Sequence, residues 1–422
     1  MDLAIIAGGK GTRFSKFSKK PKVLSKFGKK NLVDLYFRIF KENQINKIFF
    51  FLGYNAQIIE RYIEKKNFNC KIFTEKRALG TAGCLVNKNF KPKGDLLVIM
   101  GDIATNFNVK KFYDYHKKKN SDITLFVHPN DHPLDSDIVD LDENSRVIKF
   151  YSKNRKKLFY SDNLATAGIY LIRANILKLL KKNIKQDISK DLIVTSLKRK
   201  KRVFGYKSFD YVKDMGTRKR YFQVLRDLKT KKFDFKFKKK NHKAIFLDRD
   251  GVLNREKRNY KYSNPLDLYP GVIQSLKKIN KSNYLSIVIT NQPAIAKGFV
   301  TKEFVIKSHK ILQTFLGNKN VYLNDIFFCP HHPHKGFKGE NKKYKKVCNC
   351  RKPKNGLLLK AKKHYDIDFK KSFFIGNSEA DYKAAIKSNI KPYIINNKIL
   401  SDKIGQKRSF SSLHQVIKYL IK

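Results

Sequence analysis

The chain has 422 residues with a hydrophobic fraction of 41% and a formal net charge of +58. A chain of this length exceeds what one hydrophobic core usually serves, so it predicts two domains, and its composition argues against a disordered protein. The abundance of Lys and the absence of Trp are typical of AT-rich coding. The basic residues are scattered over the whole length, unlike those of a dedicated nucleic-acid-binding face. The apolar run at the N-terminus is too short for a signal peptide, and no stretch approaches the ~20 apolar residues that span a bilayer. We therefore expect a cytoplasmic protein with no specific nucleic-acid partner and no membrane partner.

Short β-type runs alternate with helix-like stretches in both halves of the chain, which predicts two α/β domains. The first domain, residues 1–228, has predicted strands at residues 3–7, 47–52, 96–100 and 123–127 and a predicted helix at residues 31–41. Residues 229–242 are rich in Lys and predict a linker. The second domain, residues 243–422, has predicted strands at residues 244–247, 285–289 and 373–375. Ligands of such sheets bind beyond the carboxyl ends of the strands, so the residues that follow each strand are the candidate site residues.

A glycine loop, Gly8-Gly9-Lys10-Gly11-Thr12-Arg13, follows the first predicted strand. Glycines let backbone N–H groups approach phosphate oxygens, and the two cations of the loop add positive charge. The loop lacks the Gly-Lys-Ser/Thr of a Walker loop, and Phe14 stands where a dinucleotide-binding loop has its third glycine. Taken alone, the loop also fits a generic turn.

Further motifs follow the loop and favour the functional interpretation. They are Pro21-Lys22, Leu79-Gly80-Thr81-Ala82-Gly83, Gly101-Asp102 and Asp214-Met215-Gly216-Thr217. The two aspartates each come at the end of a predicted strand and can share one Mg²⁺ ion. In this order, the motifs resemble those of the sugar-1-phosphate nucleotidyltransferase family over the whole predicted first domain.

This resemblance implies that a sugar 1-phosphate oxygen attacks the α-phosphorus of a nucleoside triphosphate and that pyrophosphate leaves. It implies that the catalytic cations Arg13 and Lys22 neutralise phosphate charge and that Asp102 and Asp214 bind Mg²⁺. The implied nucleotide-binding residues are Gly8, Gly9, Gly11, Thr12 and Gly83, and the implied sugar-binding residues are Lys153 and Gly168. One element departs from the family, because Ser152-Lys153 stands where a Glu-Lys pair is usual.

Three motifs of the second domain supply carboxylates, a hydroxyl group and cations. Asp248-Arg249-Asp250-Gly251-Val252-Leu253-Asn254 follows its first strand, Thr290-Asn291-Gln292 follows the next, and Arg351-Lys352-Pro353 comes later. An Asp-x-Asp pair alone also fits a solvated turn, but the three motifs together resemble the haloacid dehalogenase phosphatases. The resemblance implies that Asp248 is the nucleophile and Asp250 the general acid and base. It further implies that Thr290 and Asn291 hold the phosphoryl group, that Arg351 and Lys352 supply cations, and that Mg²⁺ is bound by Asp248, Asp250 and Asn377.

Cysteines cluster with histidine late in the chain, in Cys329-Pro330-His331 and Cys348-Asn349-Cys350. A single Cys beside a His is usually inert core, but a Cys-x-His and a Cys-x-Cys on one loop predict a closed tetrahedral Zn²⁺ site. We predict Cys329, His331, Cys348 and Cys350 as the ligands, with His332 and His334 as alternatives. The zinc would be structural and would fix the loop that presents Arg351 and Lys352.

With this insert, the second domain resembles the subgroup of heptose bisphosphate phosphatases and histidinol phosphatases. The fusion favours the heptose activity, because removing the 7-phosphate of D-glycero-D-manno-heptose 1,7-bisphosphate leaves a heptose 1-phosphate that the first domain can use. The resemblance implies GTP as the nucleotide and GDP-D-glycero-α-D-manno-heptose as the product, in the synthesis of lipopolysaccharide or another surface polysaccharide. Two alternatives remain open: a hexose-1-phosphate nucleotidyltransferase with a degenerate or histidinol-phosphatase-like second domain, and a basic polyanion-binding protein.

One phosphatase motif departs from the usual pattern. The family usually has Gly-Asp followed by a second Asp, whereas this chain has Gly376-Asn377 followed by Asp381. Asn keeps a carbonyl oxygen for Mg²⁺ but removes one negative charge, so we expect weaker magnesium binding. Asp381 is the candidate for supplying the missing charge.

Overall fold

The computed structural model describes residues 1–15, 20–43, 45–153, 160–233, 241–255, 267–397 and 408–421, without the side chains of Arg13 and Ser15. The chain divides into two compact units. The first comprises residues 1–128, 137–152 and 165–239, and the second comprises residues 129–136, 153–164 and 240–422. Both are built from strands and helices, as the α/β prediction requires. Within the described ranges, no helix is long and apolar enough to cross a membrane.

The described residues of the first half of the chain contain eleven strands and seven α-helices. The strands are β1 (Asp2–Ala7), β2 (Ile48–Leu52), β3 (Lys71–Thr74), β4 (Asp95–Met100), β5 (Ile103–Thr105), β6 (Ile123–Pro129), β7 (Ile138–Leu141), β8 (Val147–Tyr151), β9 (Leu164–Arg173), β10 (Val203–Lys207) and β11 (Val212–Asp214). The helices are α1 (Thr12–Ser15), α2 (Leu32–Glu42), α3 (Ala56–Lys65), α4 (Gly80–Gly83), α5 (Val109–Lys118), α6 (Val194–Lys198) and α7 (Arg218–Lys229).

The main sheet has the strand order β10-β6-β9-β4-β1-β2-β3, with β7 and β8 attached beside β9. Strand β1 lies between β2 and β4 and is parallel to both. In this register Ala7 lies opposite Leu52, and Ile6 lies opposite Met100. Gly8, Gly53 and Gly101, the residues that follow the three strands, are therefore at one edge of the sheet. This is the edge where the glycine loop was predicted to bind phosphate.

Apolar side chains of the central strands form the first core. All five residues of β2 are buried, and Phe37 of α2 stacks on Phe50 with ring centroids 5.6 Å apart. Helix α2 begins at a capping box, in which Asn31 accepts from the Asp34 N–H and Asp34 accepts from the Asn31 N–H. Such a box satisfies backbone donors that a helix start leaves free.

Phe233 extends the first unit beyond its predicted end at residue 228. Its side chain is fully buried in the first core, with its ring stacked on Tyr211 at 4.8 Å. The lysines around Phe233 predicted a linker at residues 229–242, but a single large aromatic residue has enough apolar area to be held in a core. Residues 234–240 of that predicted linker lie outside the described residues.

The second half of the chain contains six strands and five α-helices within its described residues. The strands are β12 (Lys243–Leu247), β13 (Tyr284–Asn291), β14 (Asp325–Cys329), β15 (Phe373–Gly376), β16 (Lys391–Ile395) and β17 (Ser409–Phe410). The helices are α8 (Val272–Lys281), α9 (Lys302–Asn318), α10 (Gly356–Tyr365), α11 (Glu379–Lys387) and α12 (Leu413–Leu420).

These six strands form one parallel sheet in the order β14-β13-β12-β15-β16-β17. Strand β12 lies between β13 and β15, so the residues after all three strands meet at one edge. Asp248 follows β12, and Asn377 follows β15. Thr290 and Asn291, predicted to follow a strand, are its last two residues, since they pair with Phe328 and Cys329 of β14.

Candidate active sites

The glycine loop of the first unit has a shape that only glycine permits. A Cβ atom on Gly53 would lie 2.7 Å from the Gly8 carbonyl oxygen, so the two backbones are in direct contact. Gly11 has φ +59, a left-handed conformation, and α1 begins at the next residue, Thr12. Among the residues that the structure describes, none has an atom within 4 Å of the position that a Gly9 Cβ would occupy. The loop thus leaves open space beside exposed backbone, as a phosphate-binding loop requires.

Lys22 and Asp102 lie close together beside this loop. The Lys22 ammonium nitrogen is 2.7 Å from Oδ2 of Asp102, and both side chains are partly exposed. The Tyr36 hydroxyl lies 3.0 Å from the Ile103 carbonyl oxygen and 3.1 Å from that of Met100, so it fixes the turn that carries Asp102. Tyr36 was not predicted from the sequence, where it is only one apolar position of helix α2.

The structure also brings Asp214 to Asp102. Strands β5 and β11 pair antiparallel with Asp214 opposite Ile103, and the Met215 N–H donates to the Asp102 carbonyl oxygen at 2.9 Å. Oδ1 of Asp214 accepts from Arg220 at 2.7 Å and from the Gly216 N–H at 3.0 Å. Burial raises the pKa of Asp214, but the Arg220 guanidinium and the Gly216 N–H outweigh it and hold that pKa below its usual value. A carboxylate on the turn before β5 and another at the end of the adjacent β11 are a donor set that fits Mg²⁺.

The remaining predicted residues of this site differ in whether they are packed or exposed. A Cβ on Gly83 would lie 2.6 Å from the Ile184 carbonyl oxygen, which gives this glycine a packing reason. Gly168 has φ +71 and lies against Met100, at the end of strand β4. Lys153 is exposed. The Arg13 side chain lies outside the described residues.

Glu75 is a further polar residue beside the glycine loop, and the sequence analysis did not assign it a role. It follows β3, and its N–H donates to the Leu52 carbonyl oxygen at 2.9 Å. A Cβ on Gly8 would lie 3.4 Å from Oε2 of Glu75. Oε1 is buried and has no hydrogen-bond partner among the residues that the structure describes. Burial raises the pKa of this carboxyl. The sequence signal that could have identified Glu75 is its position as a charged residue directly after a strand-like segment.

In the second unit, the buried Lys352 joins two carboxylates, one buried (Asp381) and one partly buried (Asp248). Its ammonium nitrogen lies 2.9 Å from Oδ1 of Asp248 and 2.6 Å from Oδ1 of Asp381, and it donates to the Ile289 carbonyl oxygen at 2.8 Å. Burial and the neighbouring Asp381 raise the pKa of Asp248 to about 7. The two carboxylates raise the pKa of Lys352, although its burial acts in the opposite direction. The Lys352 cation therefore faces the predicted nucleophile.

Asn291 fixes the backbone of Lys352. Its side-chain amide donates to the Lys352 carbonyl oxygen, and its side-chain oxygen accepts from the Lys352 N–H, both at 3.1 Å. Asn291, predicted to bind substrate, thus holds the backbone of the predicted cation Lys352. Thr290 is buried and accepts a hydrogen bond from the Gln292 amide at 3.0 Å.

The carboxylate of Asp250 is held from several sides. Arg249 donates to both of its oxygens, and Gln292 and Asn254 each donate to one, at distances of 2.8–3.1 Å. Burial raises the pKa of Asp250, but Arg249 and these amides hold it below its usual value. All three partners lie in the motifs quoted from the sequence, but none of them was assigned a role there.

Asn377 lies against the loop that carries the two aspartates. Gly251 has φ +82, and a Cβ there would lie 2.1 Å from the Asn377 amide nitrogen. Asp381 caps helix α11, because its Oδ2 accepts from the Asn377 N–H and from the N–H and hydroxyl of Ser378. With Oδ1 on Lys352, both oxygens of Asp381 are engaged within the protein. Asp248, Asp250 and Asn377, the residues predicted to hold Mg²⁺, lie together at this edge of the sheet.

The predicted zinc ligands converge. The Cys350 sulfur lies 3.2 Å from the sulfurs of Cys329 and Cys348 and 3.3 Å from Nδ1 of His331. All four ligand atoms lie within 4.8 Å of one another, so the group can hold a metal ion. Hydrogen bonds, first from Cys329 and then from Cys348 and His331, lower the pKa of Cys350 to about 5 against the effect of burial. Three sulfurs and an imidazole nitrogen fit tetrahedral Zn²⁺.

The cluster is linked to the active-site cations. The Arg351 guanidinium donates to the His331 carbonyl oxygen at 3.3 Å, and Lys352 is the next residue. A metal ion held by His331 and Cys350 would therefore fix the segment that carries both cations.

The two units define an enzyme with a nucleotidyltransferase domain and a phosphatase domain. The model of the nucleotidyl transferase family matches residues 3–231, and that of the polynucleotide kinase 3 phosphatase family matches residues 243–394. The D-glycero-beta-D-manno-heptose-1,7-bisphosphate 7-phosphatase of Haemophilus influenzae is 38% identical over 157 residues, which cover 36% of this chain and 81% of that protein. The chain therefore belongs to the nucleotidyl transferase family and, in its second half, to the family of these heptose bisphosphate phosphatases.

Two solved structures are also similar. HddC from Yersinia pseudotuberculosis is 22% identical with a TM-score of 0.45, covering 54% of this chain and 98% of that one. The D,D-heptose 1.7-bisphosphate phosphatase from B. bronchiseptica, solved with magnesium and phosphate, is 26% identical with a TM-score of 0.36, covering 42% of this chain and 97% of that one.

Proposed function

We propose that the chain catalyses two consecutive steps of nucleotide-sugar synthesis. The second domain removes the 7-phosphate of D-glycero-D-manno-heptose 1,7-bisphosphate, and the first transfers GMP from GTP to the resulting heptose 1-phosphate. The observation that carries this proposal is the presence, in one chain, of a heptose bisphosphate phosphatase domain and a nucleotidyltransferase domain. The product of the phosphatase reaction is a sugar 1-phosphate, which is the substrate class of the nucleotidyl transfer.

The phosphatase step begins when an oxygen of Asp248 attacks the phosphorus of the 7-phosphate and the bond from phosphorus to the sugar oxygen breaks. Asp250 supplies the proton that lets the sugar leave as an alcohol. It then takes a proton from the water that attacks the aspartyl phosphate, which releases inorganic phosphate and restores Asp248. Lys352, 2.9 Å from Asp248, offsets the negative charge that gathers there. A Mg²⁺ ion held by Asp248, Asp250 and Asn377 would supply further charge neutralisation.

In the nucleotidyl transfer, an oxygen of the heptose 1-phosphate attacks the α-phosphorus of the nucleotide, and the bond to pyrophosphate breaks. The loop Gly8-Gly9-Lys10-Gly11 holds the triphosphate through its backbone N–H groups. Lys22 neutralises phosphate charge, and Asp102 and Asp214 would hold the Mg²⁺ that neutralises the rest.

Glu75 supports guanine as the base. A carboxylate offers two acceptor oxygens and no donor when ionised. Guanine presents adjacent N1–H and N2–H donors on one edge, whereas uracil, cytosine and adenine each place an acceptor within that pattern. The Glu75 carboxyl lies beside the glycine loop, with Oε2 3.4 Å from the position that a Gly8 Cβ would occupy, and its two oxygens match such a pair of donors.

We further propose a structural zinc ion at Cys329, His331, Cys348 and Cys350, because thiolates and imidazole select this ion. A reducing compartment keeps such thiols available, which supports a cytoplasmic location. The GDP-heptose product would serve lipopolysaccharide or another surface polysaccharide.

One coupled assay tests the proposal. The protein is given heptose 1,7-bisphosphate, each of four nucleoside triphosphates and Mg²⁺, and phosphate and pyrophosphate are followed separately. The relative from Haemophilus influenzae is named for the β anomer, so both anomers are supplied. We expect phosphate release first and pyrophosphate release with GTP. With the bisphosphate as substrate, Asp248→Asn should block the release of both phosphate and pyrophosphate, but it should still release pyrophosphate from heptose 1-phosphate. Asp102→Ala should still release phosphate from the bisphosphate but should release no pyrophosphate from either substrate.

The controls address the alternatives. Hydrolysis of histidinol phosphate in preference to either heptose anomer, or transfer to glucose 1-phosphate in preference to heptose 1-phosphate, would overturn the substrate assignment. Glu75→Gln replaces one acceptor by a donor and should lower the preference for GTP over UTP. An unchanged preference in this variant would remove Glu75 from base recognition.

A further inference from the structure

His309 is a buried residue of helix α9 that contacts the phosphatase centre without belonging to any phosphatase motif. Its Nε2 lies 3.0 Å from Nη1 of Arg249, the residue between the two aspartates of the first motif. Its ring packs edge-on against Phe328 with centroids 5.3 Å apart. The side chain is therefore fixed on one side by strand β14 and directed on the other at Arg249.

The chemistry of this contact determines which form of the imidazole is present. A guanidinium group only donates hydrogen bonds, so Nε2 of His309 accepts and carries a lone pair. The ring is then neutral. Burial and the Arg249 charge lower the pKa of His309 to about 3, in agreement with this assignment.

The other donors of Arg249 are directed at Asp250. Nε and Nη2 donate to Oδ1 at 3.1 and 3.0 Å, and Nη2 also donates to Oδ2 at 2.9 Å. Nη2 lies in addition 3.0 Å from Oε1 of Gln292. Because the guanidinium group is planar and rigid, a contact that fixes Nη1 also fixes the donors that face Asp250.

We propose that His309 is a positioning residue of the phosphatase reaction, which holds Arg249 so that the Asp250 carboxyl is oriented toward the leaving sugar oxygen. The inference rests on the proposed phosphatase function. His309 itself touches no reacting atom. Its effect is confined to the proton transfers of Asp250: donation to the sugar oxygen as the bond to phosphorus breaks, and removal of a proton from the attacking water.

This role predicts a dependence on the leaving group. A sugar alkoxide is a poor leaving group and needs the proton of Asp250, whereas p-nitrophenolate leaves without one. The first turnover, in which Asp248 becomes phosphorylated, is measured by rapid mixing for heptose 1,7-bisphosphate and for p-nitrophenyl phosphate. His309→Leu removes the acceptor, and we expect the first-turnover rate to fall roughly 10- to 100-fold for the sugar and about threefold or less for p-nitrophenyl phosphate.

Three further variants make the test specific. His309→Gln restores an acceptor oxygen and should recover most of the sugar rate. Ser308→Ala removes a hydroxyl on the same helix that donates to the Phe304 carbonyl oxygen at 3.0 Å, and it should leave both rates unchanged. In an Arg249→Gln background, His309→Leu should cause no additional loss, because the residue through which it acts is absent.

The outcomes separate the two proposals. An equal loss on both substrates, additivity of the two substitutions, or failure of His309→Gln to recover the rate would overturn the positioning role. If His309→Leu does not fold, the first-turnover rates of His309→Gln and Arg249→Gln on the two substrates are compared instead, alone and combined. Equal losses on both substrates, or additive losses, would again overturn the positioning role. A wild-type protein that hydrolyses neither substrate would instead overturn the proposed phosphatase function, and the role of His309 with it.

Discussion

Oδ1 of Asp381 lies 2.6 Å from the ammonium nitrogen of Lys352, and neither side chain is more than 3% exposed. Lys352 is also 2.9 Å from the partly buried Asp248, so one buried cation serves two carboxylates. Removing the cation would leave two like charges unpaired inside the protein, which is far more costly than losing a surface ion pair.

Lys352→Met should therefore destabilise the second domain by about 3–5 kcal/mol as well as abolish phosphatase activity. Urea unfolding followed by fluorescence measures the change in the free energy of unfolding. The matched control is Lys354→Met, since Lys354 is exposed two residues away. A loss of stability no greater than that of the control would show that Lys352 is not the partner of both carboxylates.

The pH dependence of stability should reveal the raised pKa of Asp248. Burial and Asp381 raise it to about 7 in the folded protein, against about 3.9 in an unfolded chain. Between these values the folded state binds a proton that the unfolded state does not. The contribution of Asp248 to stability is therefore fully present below pH ~4 and decreases as the pH rises toward ~7.

Asp248→Asn, which cannot titrate, isolates this contribution. Unfolding free energies of both proteins are measured in EDTA from pH 4.5 to 7.5. The stability of the wild type relative to the variant should fall with increasing pH, by at most about 1.4 kcal/mol per unit. A constant difference, or one that grows with pH, would contradict the raised pKa.

The cysteine cluster should bind one zinc ion per chain. Elemental analysis should find it in the wild type and in Cys70→Ser, whose thiol lies outside the cluster, and not in Cys348→Ser. Co²⁺ added to metal-free protein should give the absorption of a tetrahedral thiolate site. Because Arg351 donates to the His331 carbonyl oxygen, zinc removal should also reduce phosphatase activity. Full binding by Cys348→Ser would exclude this ligand set.

Asn377→Asp should lower the Mg²⁺ concentration needed for half-maximal phosphatase activity, because it adds an anionic ligand beside Asp248 and Asp250. Asp381 is not free to compensate in the wild type, as both of its oxygens are engaged. Asn396→Asp adds the same charge at an exposed position nearby and should leave the Mg²⁺ dependence unchanged. Equal shifts in the two variants would point to general electrostatics instead of ligation.

Asp102→Ala and Asp214→Ala should each lower pyrophosphate release by orders of magnitude, because each removes a carboxylate from the metal-triphosphate site. Asp114→Ala, at an exposed position of helix α5, is the control. Circular dichroism should show that all three remain folded. Wild-type turnover in either site variant would refute its assignment as a magnesium ligand.

The sequence by itself determined which residues are the candidates for the chemistry. Parallel strands end at one edge of a sheet, so motifs that directly follow strands are brought together by the fold itself. The Asp248 and Lys352 motifs, and the positions of Asp102 and Asp214, could be found for this reason. The zinc ligands could be found because their chemistry needs only residue type and short spacing.

Only the tertiary structure decided how these residues are held. Arg249 and His309 are 60 residues apart, and Lys352 and Asn291 are 61 apart. No local periodicity connects such pairs, because their contact depends on how helices and loops pack on the sheet. The burial of Phe233 likewise depends on tertiary packing, because the lysine-rich sequence around it predicts an exposed linker. Asp381 could be read as a spare ligand until packing showed both of its oxygens in use. Sequence thus fixes the reactive groups, whereas their orientation and charge state follow from contacts that form only when the chain is folded.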